Sequence, residues 1–228
     1  MKLLALDTAT ELCSAALWID GASLTRESAR PRGSGEAILS MVAQLLCESG
    51  LELERLDAIA VGRGPGAFTG VRLAVAVAQG LGFAAGLPLL PVSDLRALAL
   101  QALGQEAAPE RVVICQDARM AEVYWGCFER AGGARAVTVE AVGAATAVRL
   151  PEHWHGGGVC AAGSGFEAYP ALRALAGCEL RAIWGHLRPR ALEIAQLAAF
   201  DGLAAAVAPE AAQPVYLRDE VAARPARN

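Results

Sequence analysis

The sequence predicts an α/β fold in two lobes, each with a mixed β-sheet flanked by helices. Three observations support this prediction. Strand and helix patterns alternate from residue 2 to residue 103, a polar stretch of small residues follows at 104–110, and a second series of strands begins after it. We therefore expect a first lobe over residues 1–104 and a smaller second lobe over residues 105–228. The helix near the C-terminus is expected to pack back on the first lobe.

The first lobe begins with three predicted strands in a meander. Residues 2–6 form an apolar run, and residues 13–19 and 22–27 flank Asp20-Gly21, which is a strong hairpin signal. A helix follows over residues 34–48, with Ser34 as its N-cap and Gly50 as its stop signal. The remaining elements are a strand at 56–61, a helix at 69–85, a strand at 87–92 and a helix at 94–103 capped by Ser93.

The second lobe repeats the opening of the first. Strands are predicted at 111–115, 122–128 and 136–142, a short strand near Val159, and a helix from Pro189 to Phe200. The residues at the very C-terminus are expected to fray. The first lobe thus has three strands followed by helix, strand and helix, and the second lobe begins with three strands again. A repeated βββαβα order is the layout of the ribonuclease-H-like, actin-type (ASKHA) fold.

Composition excludes several classes of protein. The 228 residues are 54% hydrophobic with a formal net charge of −4, and Lys2 is the only lysine. Such a chain has a large aliphatic core and does not grip nucleic acid by itself. None of the six cysteines forms a Cys-x-x-Cys pair, which argues against zinc and thioredoxin chemistry. Most of them lie in apolar segments as free cysteines do, which indicates a reducing compartment. The uncharged run 73–92 contains glycines and prolines, so it predicts a buried helix, turn and strand of a cytoplasmic protein.

The glycine-rich stretch 62–72 lies between a strand and a helix and admits more than one interpretation. A Walker A loop is excluded because no Lys-Ser/Thr pair follows. A dinucleotide fingerprint would use Gly62, Gly64 and Gly70, with Asp94 as the ribose-binding acid, but Pro65 and the preceding meander argue against it. The alternative is a structural turn at a helix start that serves an interface with another protein.

Two helices offer surfaces for such an interface. In the helix at 69–85, small residues form one stripe through Gly70, Ala74 and Ala78 and another through Ala76, Gly80 and Ala84. Small stripes allow two helix backbones to approach closely. The helix at 36–48 carries apolar residues on more than one face. We expect the partner interface to include Ile38, Met41, Val42, Leu45, Gly70, Val71, Ala74 and Ala78.

Four blocks, in order along the whole chain, resemble the TsaB family, the partner subunits of bacterial threonylcarbamoyladenosine synthesis in transfer RNA. They are Leu4-Ala5-Leu6-Asp7-Thr8-Ala9-Thr10, the Gly64-Pro65-Gly66-Ala67-Phe68-Thr69-Gly70-Val71-Arg72 turn, Asp117-Ala118-Arg119-Met120-Ala121-Glu122-Val123-Tyr124-Trp125, and Tyr216-Leu217-Arg218. The glycine turn and the Asp-Ala-Arg block are the most specific. The family often has a histidine in the loop before the first helix, and Arg32-Gly33-Ser34-Gly35 has none.

The resemblance implies a two-lobe actin-like subunit with no catalytic residues and no cofactor. It implies a heterodimer with TsaD, the later joining of the ATP-hydrolysing TsaE, an indirect role for transfer RNA, a self-dimer when TsaD is missing, and no membrane partner. TsaD binds its metal through a His-x-x-x-His motif. His153, His155 and His186 do not have that spacing, so no metal site is expected.

A degenerate nucleotide cleft is expected between the lobes. Its candidate residues are Asp7, Thr8, Thr10, Gly64, Gly66, Asp117 and Arg119. Ala9 stands where actin-type ATPases have a phosphate-binding glycine, and Asp7 can instead cap its own turn. Asp117, Arg119 and Glu122 form either a catalytic patch or a salt-linked turn. The alternative function is a stand-alone actin-fold nucleotide-dependent transferase or kinase. A metallopeptidase is disfavoured because the sequence lacks the metal ligands that such an enzyme needs.

Overall fold

The structure is a computed structural model that describes residues 1–29, 33–174 and 178–218 and contains two β-sheets. The first sheet has the strand order β3-β2-β1-β4-β5. The elements of this part of the chain are β1 (Lys2–Asp7), β2 (Leu12–Ile19), β3 (Ala22–Ala29), α1 (Ser34–Ser49), β4 (Ala58–Gly62), α2 (Phe68–Ala85), β5 (Leu89–Val92) and α3 (Asp94–Leu103).

The second sheet has the order β11-β10-β6-β7-β8, with β9 paired to β7. Its strands and helices are β6 (Arg111–Arg119), β7 (Glu122–Glu129), α4 (Ala131–Ala134), β8 (Arg135–Ala136), β9 (Ala141–Ala144), β10 (Gly158–Ala162), α5 (Gly165–Ala168), β11 (Glu179–Trp184) and α6 (Ala191–Asp201). The β6–β7 pair is an antiparallel hairpin, and β10 runs parallel to β6 and to β11.

Helices cover both faces of the first sheet. The apolar sides of α1 and α2 pack on one face, where Leu4, Leu6 and Val61 form the floor of the core. On the other face, α6 packs on β1, β2 and β4 through Ile194 and Leu197. The C-terminal helix therefore contacts the first sheet, although the sequence before it forms the second.

The helix α3 joins the two sheets. Ala97 packs with α6 beneath the first sheet, whereas Leu95 and Leu98 pack with Val112 and Ile114 of the second sheet. Because one helix contributes to both cores, the lobes share a continuous apolar contact on this side of the molecule.

Several predicted elements differ from the structure in detail. The N-cap of α1 is Gly33, at φ 70°, and the predicted cap Ser34 is the first helical residue. The single strand predicted at 136–142 is instead β8 and β9, which pair with different parts of β7. Ser93 caps α3 as predicted, because its side chain accepts a hydrogen bond from the Arg96 amide at 3.1 Å.

Among the described residues, α2 is the one helix whose length and apolar composition would suit a membrane span. Its Ala74, Val75 and Ala78 are buried on the sheet, and its opposite face, with Ala76 and Gly80, is exposed. Residues 86–88 then turn the chain into β5, as predicted for the run 73–92. Two other expectations fall on residues 30–32 and 219–228, namely the loop without histidine and the frayed terminus, and these lie outside the described residues.

Candidate functional site

The glycine turn between β4 and α2 packs directly against the turn that follows β1. The Ala67 amide donates to the Ala9 carbonyl at 2.7 Å, and the Thr8 hydroxyl donates to the Gly70 carbonyl at 2.6 Å. A Cβ atom on Gly66 would lie 2.6 Å from the Ala9 oxygen, and one on Gly70 would overlap the Thr8 oxygen. These glycines therefore allow close approach of two backbone segments.

Two buried carboxyl groups meet below this turn. The parallel strands β1, β4 and β5 end at one edge of the sheet, with Asp7 on the first, Gly62 on the second and Asp94 just after the third. Both aspartates are fully buried. A Cβ on Gly62 would lie 2.5 Å from Asp94 Oδ1 and 3.0 Å from Asp7 Oδ1, so only glycine leaves room for the pair.

Each carboxyl has one oxygen bonded to backbone. Asp7 Oδ1 accepts from the Ala9 amide at 2.7 Å, and Asp94 accepts from the Gly64 amide. Within the described residues, the second oxygens, Asp7 Oδ2 and Asp94 Oδ1, have no hydrogen-bond partner. Burial raises the pKa of Asp7 to about 6, and burial followed by the negative charge of Asp7 raises the pKa of Asp94 well above its ordinary value. Both shifts favour the protonated form of these carboxyl groups at pH values where an ordinary aspartate is ionised.

A cleft of about 860 Å³ opens between the lobes next to the glycine turn. Of the predicted cleft residues, Thr10, Gly66, Asp117 and Arg119 line it. The remaining three do not: Asp7 and Thr8 are buried, and Gly64 faces Val215. The position that faces the nucleotide metal in actin-type ATPases is thus sealed from this cleft.

The second-lobe wall of the cleft is held by internal bonds. Asp117 accepts from the Tyr169 hydroxyl at 2.9 Å and from the Arg119 amide at 2.8 Å, and it forms an ion pair with the Arg119 side chain at 3.1 Å. Its own amide donates to the Ser164 hydroxyl at 3.0 Å. This arrangement is that of a salt-linked turn, because every polar group of Asp117 has a structural partner.

The other cations of the cleft are also paired. Arg188 contacts Glu11 at 2.6 Å and Glu167 at 3.2 Å, which ties the turn after β1 to α5. Arg218 pairs with Glu122. In residues 1–29, 33–174 and 178–218, no three His, Cys, Asp or Glu side chains gather as a metal site would require.

The eight residues expected at the partner interface are not on the surface. Seven are buried: Ile38, Met41, Val42, Leu45, Val71, Ala74 and Ala78. The eighth, Gly70, faces the Thr8 carbonyl. In this chain alone, six of them belong to the apolar core over the sheet: Ile38, Met41, Val42, Leu45, Ala74 and Ala78. The interface expected from the sequence stays a prediction.

The outer faces of the same helices carry a different apolar set. Leu39 and Phe83 are 49% and 64% exposed, and Ala76, Gly80 and Ala84 form an exposed stripe along α2. A Cβ on Gly80 would meet nothing within 4 Å, whereas one on Gly82 would lie 3.0 Å from the Leu87 carbonyl. Gly82 is therefore explained by packing inside the chain and Gly80 is not.

Sequence reasoning missed two features of the cleft and one buried contact beside it. Arg188 directly precedes the predicted helix start at Pro189, and no motif in the sequence marks it as a cleft residue. Tyr216 and Arg218, which lie in one of the family-like blocks, also line the cleft. Asp94 was considered as a ribose-binding acid, and its contact with Asp7 becomes visible only from the strand order.

Comparison with known proteins places the chain among related sequences. The family model described as "TsaD: tRNA N6-adenosine threonylcarbamoyltransferase" matches residues 30–224. The chain is 40% identical to the tRNA threonylcarbamoyladenosine biosynthesis protein TsaB of Escherichia coli K12 over 228 residues, which is 97% of this chain and 96% of that protein.

Two solved structures from Pseudomonas aeruginosa have the same fold. One is described as an uncharacterized protein with similarity to the peptidase YeaZ; its TM-score is 0.87 at 43% identity. The other, YeaZ, has a TM-score of 0.86 at 44% identity. Each comparison covers 95% of this chain and 99% of the other. The predicted two-lobe actin-like fold is confirmed.

Proposed function

The chain belongs to the TsaB family, within the wider family that the TsaD model describes, and we propose that it is a non-catalytic subunit in the synthesis of threonylcarbamoyladenosine in transfer RNA. In this proposal it binds and stabilises TsaD in the cytoplasm and helps to recruit TsaE, and it meets transfer RNA through the complex. The observation that carries the proposal is the likeness to a curated TsaB protein over nearly the full length of both chains.

The absence of catalysis is supported by the state of the cleft. A nucleotide-dependent transferase needs free backbone amides for phosphate and an accessible carboxylate for the metal. Here the Ala67 amide donates to Ala9, the glycines are packed against backbone, and Asp7 is fully buried and bonded to its own turn. A phosphate group bound at this turn would have to displace these contacts.

The partner surface of this proposal is the outer face of α1 and α2. Gly80 costs about 1 kcal/mol relative to alanine in a helix interior, and nothing in the described chain uses the space it leaves. A second helix backbone crossing at Ala76 and Gly80 would use that space. The exposed ring of Phe83 and the exposed side chain of Leu39 lie on the same outer faces and supply apolar area for the contact.

The experiment is a measurement of complex formation with purified TsaD by light scattering and calorimetry. The wild-type chain is expected to form a heterodimer, and Ala76→Arg is expected to weaken it at least about tenfold, because the long charged side chain holds the helices apart. The control, Ala131→Arg, introduces the same residue at an exposed site on α4 in the other lobe. Equal affinity for the wild type and Ala76→Arg would contradict the proposed surface.

The same samples test the stand-alone enzyme alternative. Titration of the isolated chain with ATP and magnesium should give no saturable binding, since Asp7 is fully buried and the glycine turn is packed against the turn after β1. Tight binding of ATP by the isolated chain, without TsaD, would favour a nucleotide-dependent transferase instead.

A further inference from the structure

Residues 213–218, called the strap here, run along the mouth of the cleft from the first lobe to the second. At the first-lobe end, the Val215 amide donates to the Arg63 carbonyl at 2.8 Å. Gly64 has φ 96°, and a Cβ there would lie 3.0 Å from the Val215 carbonyl oxygen. The glycine turn therefore also makes room for the strap.

The middle of the strap is held by an aromatic and cationic cluster at the start of α2. Arg72 Nε donates to the Tyr216 hydroxyl at 2.6 Å, and the Arg72 guanidinium lies 3.4 Å from the centre of the Phe68 ring. The rings of Phe68 and Tyr216 are 5.8 Å apart. The guanidinium lies over the Phe68 ring and 5.2 Å from the centre of the Tyr216 ring, so Tyr216 has a defined place on the first lobe.

The far end of the strap holds the tip of the β6–β7 hairpin. Arg218 Nη2 donates to the Ala118 carbonyl at 3.2 Å and pairs with Glu122, and Nη1 lies 3.6 Å from Met120 Sδ. The tip itself is conformationally costly, because three consecutive residues without glycine, 119–121, have φ values of 62°, 56° and 62°. Arg218 therefore stabilises a turn whose backbone conformation is unfavourable for residues 119–121.

The two sides of the molecule are joined in different ways. On the α3 side, the lobes share a continuous apolar core through Leu95, Leu98 and Ala97. On the cleft side, the contacts are polar and include the Arg188 ion pairs and the strap. Apolar cores resist opening more than exposed polar contacts do, so the α3 side is the pivot and the cleft side is where the lobes separate.

We infer that the strap is an interlobe latch, in which the contacts of Tyr216 and those of Arg218 open and close as one unit. Loss of the contacts at one end weakens those at the other, because the short segment between them then gains conformational freedom that closure has to remove again. Closure holds the hairpin tip against the first lobe and forms one wall of the cleft. The latch thereby controls access to the cleft, independently of the TsaD surface on α1 and α2.

The test measures amide hydrogen exchange by NMR in the full chain, with the perturbation and the readout at opposite ends of the strap. Arg218→Ala and the milder Glu122→Gln act on the second lobe, and the exchange of the Val215 amide is read on the first. Tyr216→Phe acts on the first lobe and is read at the Arg119 amide, which donates to Asp117. The control is Arg181→Ala, which removes an exposed arginine paired with Glu179 at 3.8 Å on β11.

A latch predicts that Arg218→Ala and Glu122→Gln each raise exchange at Val215 about tenfold, while amides of β1 in the core exchange as in the wild type. Tyr216→Phe should raise exchange at Arg119, and Arg181→Ala should change neither site. The inference is overturned if the variants exchange at Val215 within about twofold of the wild type. It is equally overturned if β1 exchanges faster to the same degree, because the effect would then be loss of global stability.

Discussion

The buried pair of Asp7 and Asp94 makes a sharp prediction about stability. Asp7→Asn keeps the size of the side chain and replaces its unpartnered oxygen with an amide donor. The new Oδ1 accepts from the Ala9 amide as before, and the new Nδ2 donates to Asp94 Oδ1, which has no other partner. We therefore expect Asp7→Asn to be more stable than the wild type at neutral and alkaline pH.

The magnitude follows from the pKa of Asp7. Its pKa in the folded chain is about 6, against 3.8 for an ordinary aspartate, and burial is the main cause. As the pH rises from below 3.8, the unfolded chain loses this proton first, so the free energy of unfolding falls until the pH passes 6. Each pKa unit corresponds to 1.36 kcal/mol, which gives a loss of about 3 kcal/mol in the wild type.

Asp7→Asn has no carboxyl group at this position, so its free energy of unfolding does not fall in this way. The stability difference should be less than about 1 kcal/mol near pH 4 and should grow to about 3 kcal/mol near pH 8. Removal of the Asp7 charge also lowers the pKa of Asp94, which acts in the same direction. Urea unfolding across this pH range measures the difference.

The control is Asp57→Asn, the same substitution at an exposed carboxylate that accepts a hydrogen bond from the Lys2 amide at 2.7 Å. It should follow the wild-type pH dependence. The reasoning is refuted if Asp7→Asn has the pH dependence of the wild type, or if it is the less stable protein at about pH 8.

Further predictions concern the glycine turn and α2, and all are measured by urea unfolding of the isolated chain. Gly70→Ala should cost about 1–3 kcal/mol or more, since its Cβ would overlap the Thr8 carbonyl, while Gly80→Ala should stabilise by up to about 1 kcal/mol because its Cβ meets nothing. Equal effects at the two glycines would contradict this difference. Thr8→Val should cost about 1 kcal/mol by removing the hydrogen bond from the Thr8 hydroxyl to the Gly70 carbonyl, and Thr8→Ser should cost less because it keeps the hydroxyl. If Thr8→Val is as stable as the wild type, the hydrogen bond from Thr8 to Gly70 does not stabilise the fold.

The order of strands and helices in the first lobe could be predicted because its signals are local. Asp20-Gly21 marks the β2–β3 hairpin, and the predicted helix 69–85 differs from Phe68–Ala85 by one residue. The second lobe was harder, because the strand expected at 136–142 is divided between β8 and β9, and β11 gave no clear pattern. Short strands there depend on pairing with β7 and β10 more than on their own residues.

The candidate site could be predicted only in part. Small and apolar residues occur on every side of α2, so periodicity could not decide between the stripe of Ala74 and Ala78, which is buried, and that of Ala76 and Gly80, which is exposed. The Asp7–Asp94 pair depends on the adjacency of β1, β4 and β5, which no local pattern encodes. The sequence pattern located the glycine turn between β4 and α2. What the turn accommodates, the Ala9 carbonyl against Gly66, is seen only in the structure.

The central claim is that this chain has no catalytic role but is required by TsaD. The most direct measurement combines TsaD, TsaE, a supply of threonylcarbamoyl-adenylate and unmodified transfer RNA, and quantifies the modified base as this chain is added. The account predicts no product without the chain and a rise that saturates at one chain per TsaD, with Ala76→Arg shifting the rise to higher concentration. Product at the same rate without the chain, or product from the chain in the absence of TsaD, would contradict it.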